Sequence, residues 1–310
     1  MREAQSIRSG SDDLCARAEA LIALKRFAEA LPLLQRAAAA DPMAVQPRCL
    51  TAQAQIELTR FKDALKAADE ATRLAPELEW PHRLRSIALT GLGREREALQ
   101  AAREAARIDP NGAYALYQLA LRLWTGWRRR EAREVVARLV RVAPEEASTY
   151  ELLAWIALDQ WRIKEGEEHA RRALQIDPER AGAFGYLARA LRWQRRGREA
   201  IDASYQAARL CPTSRYYRQD LVMSIQAYAV SGWAAIAALC LLAFKLIDHF
   251  QTPAFNQELQ LVMLLALVLI TGFGLYAWHE MRLRTLPPEV VAFYREEMKR
   301  SLTHPERQDP

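Results

Sequence analysis

Few side chains in this sequence stand where they could make or break a covalent bond. His82, His169, His249, His279 and His304 are scattered without metal-ligand spacing, and no serine or cysteine has a base at a fixed offset. A glycine-rich phosphate loop is missing, and Gly91 and Gly93 read as a turn. Cys15, Cys49, Cys211 and Cys240 show no paired spacing, so neither a disulfide framework nor a zinc site is expected. Cys15 and Cys49 recur at one period and read as small, solvated residues rather than a redox pair. The chain is therefore expected to be no enzyme and to carry no cofactor or metal. The chemistry it does offer is recognition, because tryptophan, tyrosine and arginine side chains cluster in its middle third, and these supply large contact area and forked hydrogen bonding.

The elements that must hold those side chains are announced by proline. Pro42, Pro76, Pro110, Pro144, Pro178 and Pro212 recur every 34 residues. A fixed period in that range marks stacked helix pairs, each too small to bury its own apolar face. Proline lacks a donor and pushes the residue before it out of helix, so each one ends a repeat. Between them the sequence is rich in Ala, Leu, Arg and Glu on a 3.6-residue rhythm, which predicts about twelve helices and no sheet. With the proline as position 32, position 8 reads Ala18, Ala52, Ser86, Ala120, Ala154, Ala188. Position 20 reads Ala30, Ala64, Ala98, Ala132, Gly166, Ala200, and position 27 is alanine except for Leu139. These small columns let the two helices of a pair approach closely.

Small residues at 8, 20 and 27 with proline at 32 resemble the tetratricopeptide repeat (TPR) over residues 11–214, in six copies. The family's tryptophan at position 4 is replaced by Leu14, Arg48, His82, Leu116, Tyr150 and Phe184. The resemblance implies an all-α solenoid whose first helices, here called A helices, line a concave groove through positions 2, 5, 9 and 12. On that implied face lie Trp80, Arg83, Tyr114, Tyr117, Leu121, Trp124, Glu151, Trp155, Arg189 and Arg192, the candidate partner-binding residues. A peptide with acidic and apolar side chains would fit such a groove; the competing reading packs several of these tryptophans between repeats. Tyr150 and Phe184 read as core, and Trp127 and Trp161, at the turn inside successive repeats, as structural stacking. Clamping of an acidic chaperone tail is not expected, since Asn111 and Asn256 are the only asparagines and neither is on that face.

Two further segments, 227–247 and 259–278, are apolar almost without break, Lys245 being their only charge. About 20 residues suffice to cross a hydrocarbon core of roughly 30 Å as a helix. We therefore expect a transmembrane hairpin joined by a short extracytoplasmic loop, 248–258. Arg215, Arg218, Arg282 and Arg284 flank it and the loop has no Arg or Lys, which puts both termini in the cytoplasm. Residues 1–10 precede the repeats without an export signal. An excess of 38 arginines over 6 lysines hints at a GC-rich bacterium, hence an inner membrane. Tyr228 and Trp233, among other aromatics, suit interfacial depth. Ser231, Gly232 and the alanines after them offer a close-packing surface, leaving open a homo-oligomer or a membrane-protein partner.

Residues 215–226 are expected to cap the last repeat and run stiffly into the first span, with a flexible tether as the alternative. The tail, 279–310, contains an amphipathic helix over 289–302 that either docks on the solenoid or lies on the membrane. A net charge of +6 is mild, so nucleic acid is not an expected partner; Arg192, Arg195, Arg196 and Arg198 form a local cluster suited to lipid phosphate. Two functions follow from this reading: a membrane-anchored adaptor organising a complex at the cytoplasmic face, or an integral subunit whose spans mediate assembly.

Overall fold

The protein is described from a computed structural model. It covers residues 2–212, 214–230, 272–274 and 276–303, with 242 and 245 as isolated positions. Among the described residues the regular structure is entirely helical. The chain divides into two compact units, 1–152 and 153–310, the boundary falling inside one helix.

The first unit contains α1 (Arg2–Ala23), α2 (Phe27–Ala40), α3 (Gln46–Glu57), α4 (Phe61–Leu74), α5 (Glu79–Gly91), α6 (Glu95–Ile108), α7 (Ala113–Thr125), α8 (Arg129–Val142) and the start of α9 (Ala147–Asp159). Each second helix begins 34 residues after the last, and each repeat proline lies two residues beyond a helix end, as its missing donor requires. The helix predicted from Ser11 begins earlier, at Arg2, so residues 2–10 extend α1 rather than forming a separate segment. Consecutive helices pack in pairs, and α1, α3, α5 and α7 also touch in series, making the A helices one layer.

The small columns are what bring the pairs together: Ala18, Ala30, Ala37, Ala52, Ala64 and Ala71 are all fully buried. Where position 8 is Ser86, its hydroxyl donates to the Ala98 carbonyl at 2.9 Å, so the buried polar group is satisfied. Position 4, where the family tryptophan is missing, has a polar use instead. The Arg48 guanidinium donates to the Pro42 carbonyl at 2.7 Å, and His82 Nε2 lies 2.9 Å from the Pro76 carbonyl.

The turn inside every repeat is the same left-handed cap. Lys25, Thr59, Gly93, Trp127, Trp161 and Arg195 have φ between 58° and 72°, and the following arginine N–H donates back to the carbonyl five residues earlier at 2.8–3.0 Å. This is a Schellman closure, which satisfies carbonyls left over at the helix end. That arginine then starts the second helix, and in five of six repeats it pairs with the glutamate three residues on: Arg26 with Glu29, Arg94 with Glu97, Arg128 with Glu131, Arg162 with Glu165, Arg196 with Glu199.

The second unit holds the rest of α9, α10 (Ile163–Ile176), α11 (Ala181–Trp193), α12 (Gly197–Leu210), α13 (Arg215–Val230), a helical segment over 276–283, and α14 (Pro288–Thr303). The start of α13 lies 34 residues after that of α11, so it takes the place of a seventh A helix. Its Arg218 repeats the position-4 contact, donating to the Pro212 carbonyl at 2.8 Å. α14 runs antiparallel to it: Arg218 near the start of α13 meets Glu297 at 3.1 Å, while Tyr228 near its end meets Thr285 at 3.0 Å. Ile201, Leu221, Ile225, Tyr228, Leu283, Val290 and Tyr294 form one core, so the amphipathic tail docks on protein. Full burial of each aliphatic side chain there contributes roughly 1.5–3 kcal/mol, enough to fix both helices.

Tyr228 is 6 % exposed within this core, which corrects the expectation that it sits in a membrane interface: packing against Leu283 and Leu286 claims it first. The apolar runs 227–247 and 259–278 otherwise lie mostly outside the described residues. Among the described residues no helix is long and apolar enough to cross a membrane.

Candidate peptide-binding surface

In the first unit, α5 and α7 bring four of the candidate residues onto neighbouring turns. Position 5 of one A helix approaches position 2 of the next, so the Arg83 guanidinium lies 5.1 Å from the centre of the Tyr114 ring. Arg83 is oriented from below by Glu79 at 3.3 Å, one helical turn back. Tyr114 is 61 % exposed, whereas Tyr117 and Leu121 are half-buried along the same stripe. The patch thus presents an open aromatic face, a cation already aligned with it and an apolar floor.

Other candidates have structural tasks. Trp80 packs on the clusters around Cys15 and Leu50 and around Cys49 and Leu84, so most of its ring is core. Trp124 is 2 % exposed and its ring is covered by the Arg129 guanidinium at 4.0 Å, so it offers a partner nothing. Arg122 is buried beside it, donating to the Thr90 hydroxyl at 2.6 Å; burial pulls its pKa down, opposed by Glu95. Glu151 is half-buried at the end of this unit. Cys15 and Cys49, expected to be solvated, are instead buried, and burial pushes the Cys49 thiol up to about 12.

In the second unit Trp155 is half-buried. The remaining two candidates are taken up by α13, the helix expected to cap the last repeat. Arg189 donates to the Tyr216 hydroxyl at 2.7 Å and lies over Tyr186. Arg192 donates to Ser224 at 2.7 Å and to Asp220 at 2.9 Å. Arg192 is thus a fastener between A helices, a correction to its reading as a partner contact. In the arginine cluster around it, Arg196 is paired with Glu167 and Glu199, Arg198 donates to the neutral Tyr228 hydroxyl, and Arg195 is exposed. Carboxylates within the protein thus meet Arg192 and Arg196, two of the four.

Trp127 and Trp161, expected to stack as structure, are 80 % and 72 % exposed, because the left-handed cap turns the residue at that position outward. Trp161 does stack, on Trp193 at 4.8 Å and 18° between planes, and Arg129 lies 4.8 Å from Trp127.

The fold superposes on solved structures of one kind. A thermophilic TPR protein from Thermus thermophilus superposes with a TM-score of 0.55 at 21% identity, covering 58% of this chain and 98% of that one. The fold is that of the tetratricopeptide repeat. The Cut9–Hcn1 hetero-tetramer of the APC/C gives 0.58 at 13% identity, over 71% of this chain and 46% of that one. The pilF protein of Pseudomonas aeruginosa gives 0.51 at 16%, over 69% and 97%. No family profile matches the chain, and no curated protein does.

Proposed function

We propose that this TPR array is a docking module held at the cytoplasmic face of a membrane, binding an extended or helical segment of a partner protein along α5 and α7. The observation that carries the binding half is the open Tyr114 ring with Arg83 aligned against it. An aromatic and an arginine side by side suit a ligand with one apolar and one acidic side chain. The membrane half rests on the apolar segments 231–247 and 259–278, each long enough to cross a bilayer. Affinity capture by the full chain, compared with Tyr114→Ala and Arg83→Ala, tests the binding half. Each replacement should weaken capture of the same partner about tenfold, the weight of a modest hot spot of ~1.4 kcal/mol. Undiminished capture by both variants removes α5 and α7 as the surface.

A second reading has its own support. α13 and α14, the elements that enclose the apolar segments in sequence, are packed together and on α12, so the segments leave and re-enter one rigid body. That suits an integral subunit whose spans pair with another membrane protein. Exchanging 231–271 for an unrelated hairpin leaves a docking module active and disables such a subunit.

A further inference from the structure

The position of the apolar insertion marks out one edge of the second unit. Because α13 and α14 form an antiparallel pair in the register of a seventh repeat, the chain between them is inserted where every other repeat has its short turn. That edge is shared with the turn of repeat 6: a Cβ on Gly197 would lie 2.8 Å from the Tyr228 ring, and Arg198 donates to the Tyr228 hydroxyl at 3.2 Å. On the same edge, Trp161 and Trp193 lie in an exposed stack. The returning segment adds Arg282, whose guanidinium is 4.1 Å from the Tyr228 ring and 5.5 Å from that of Trp278.

We propose that the intra-repeat turns of repeats 5 and 6 rest on the lipid interface, with the Trp161–Trp193 stack inserted at headgroup depth. This rests on the membrane reading above. Tryptophan favours that zone because its ring is apolar and its N–H is polar. The neighbouring Arg162 and Arg196 are already paired with Glu165, Glu199 and Glu167, so the proposed contact is an aromatic one.

The test is tryptophan quenching of the full chain reconstituted in phosphatidylcholine vesicles carrying bromine at shallow or deep acyl positions. A Trp233→Phe/Trp278→Phe variant isolates the repeat tryptophans, and a Trp161→Phe/Trp193→Phe variant keeps those of the apolar segments. Shallow bromine should quench the first variant, and adding Trp161→Phe/Trp193→Phe to it should remove that loss, while the second variant is still quenched through Trp233 and Trp278 at the ends of the apolar segments. Quenching of the second variant with no Trp161/Trp193 contribution in the first would overturn the contact and leave the spans standing. Quenching in neither variant would overturn both.

Discussion

Arg192 and Asp220 join α13, which leads into the apolar segments, to the repeats, and the two partners should fail unequally. The Asp220 side chain is 4 % exposed and that of Arg192 is 18 % exposed, with Ser224 as an additional acceptor for the arginine. Replacing Arg192 by alanine leaves a carboxylate buried without its cation, a loss of about 3–5 kcal/mol. Replacing Asp220 by alanine leaves a guanidinium that keeps Ser224 and can reach water, so the loss is about 1.5–3 kcal/mol, typical of one charged hydrogen bond. The double variant removes the orphaned carboxylate and should be less damaged than Arg192→Ala alone. Hydrogen exchange of peptides from α13 in the detergent-solubilised full chain reads this directly, since each ~1.4 kcal/mol of lost stability speeds exchange tenfold. Protection should fall roughly a hundredfold or more for Arg192→Ala and distinctly less for Asp220→Ala. Equal effects, or a double variant equal to the sum, would refute the reasoning that a buried pair clamps α13 to α11.

A Cβ added to Gly93 would meet nothing within 4 Å, yet the residue sits at φ 72°, so Gly93→Ala should cost about 1 kcal/mol by backbone strain alone, and Thr59→Gly should recover a similar amount, both read by thermal melts. Burial pushes the Glu167 carboxyl up, but Gln194, Arg171 and Arg196 outweigh it and hold the group below its ordinary value near 4.5. Its contribution is therefore present above that pH and lost as pH falls through the lower, folded-state value; an acid titration should show repeats 5 and 6 loosening as the pH drops through that value, a dependence that Glu167→Gln flattens. A thiol probe at pH 8 should label half-buried Cys211 and reach buried Cys15 and Cys49 only after unfolding, because the Cys49 thiol stays protonated up to about 12.

The repeat was legible because proline and alanine act locally: a missing donor ends a helix and a missing side chain lets two helices meet, wherever the sequence stands. The left-handed turn was legible only at Gly93, since Lys25, Thr59, Trp127, Trp161 and Arg195 give no glycine signal. A constant arginine at the next position, from Arg26 to Arg196, was the signal that could have shown it. The candidate surface was half legible. Column arithmetic placed Tyr114 and Arg83 correctly on adjacent A helices, but it treated each helix face as uniform. Trp124 is covered by Arg129, and Arg192 by Asp220 and Ser224, contacts that depend on neighbours outside the column. The pairing of α14 with α13 was hidden for a related reason, because residues 231–287 interrupt the 34-residue register between them.

The central claim is that this TPR array is fixed to a bilayer by its own chain, and alkaline extraction of membranes from cells making the full chain, followed by protease treatment of inverted vesicles, tests it most directly. The account predicts that the protein stays in the lipid pellet while added protease removes the repeats from the exposed cytoplasmic face. Release of the intact chain into the alkaline supernatant would contradict it.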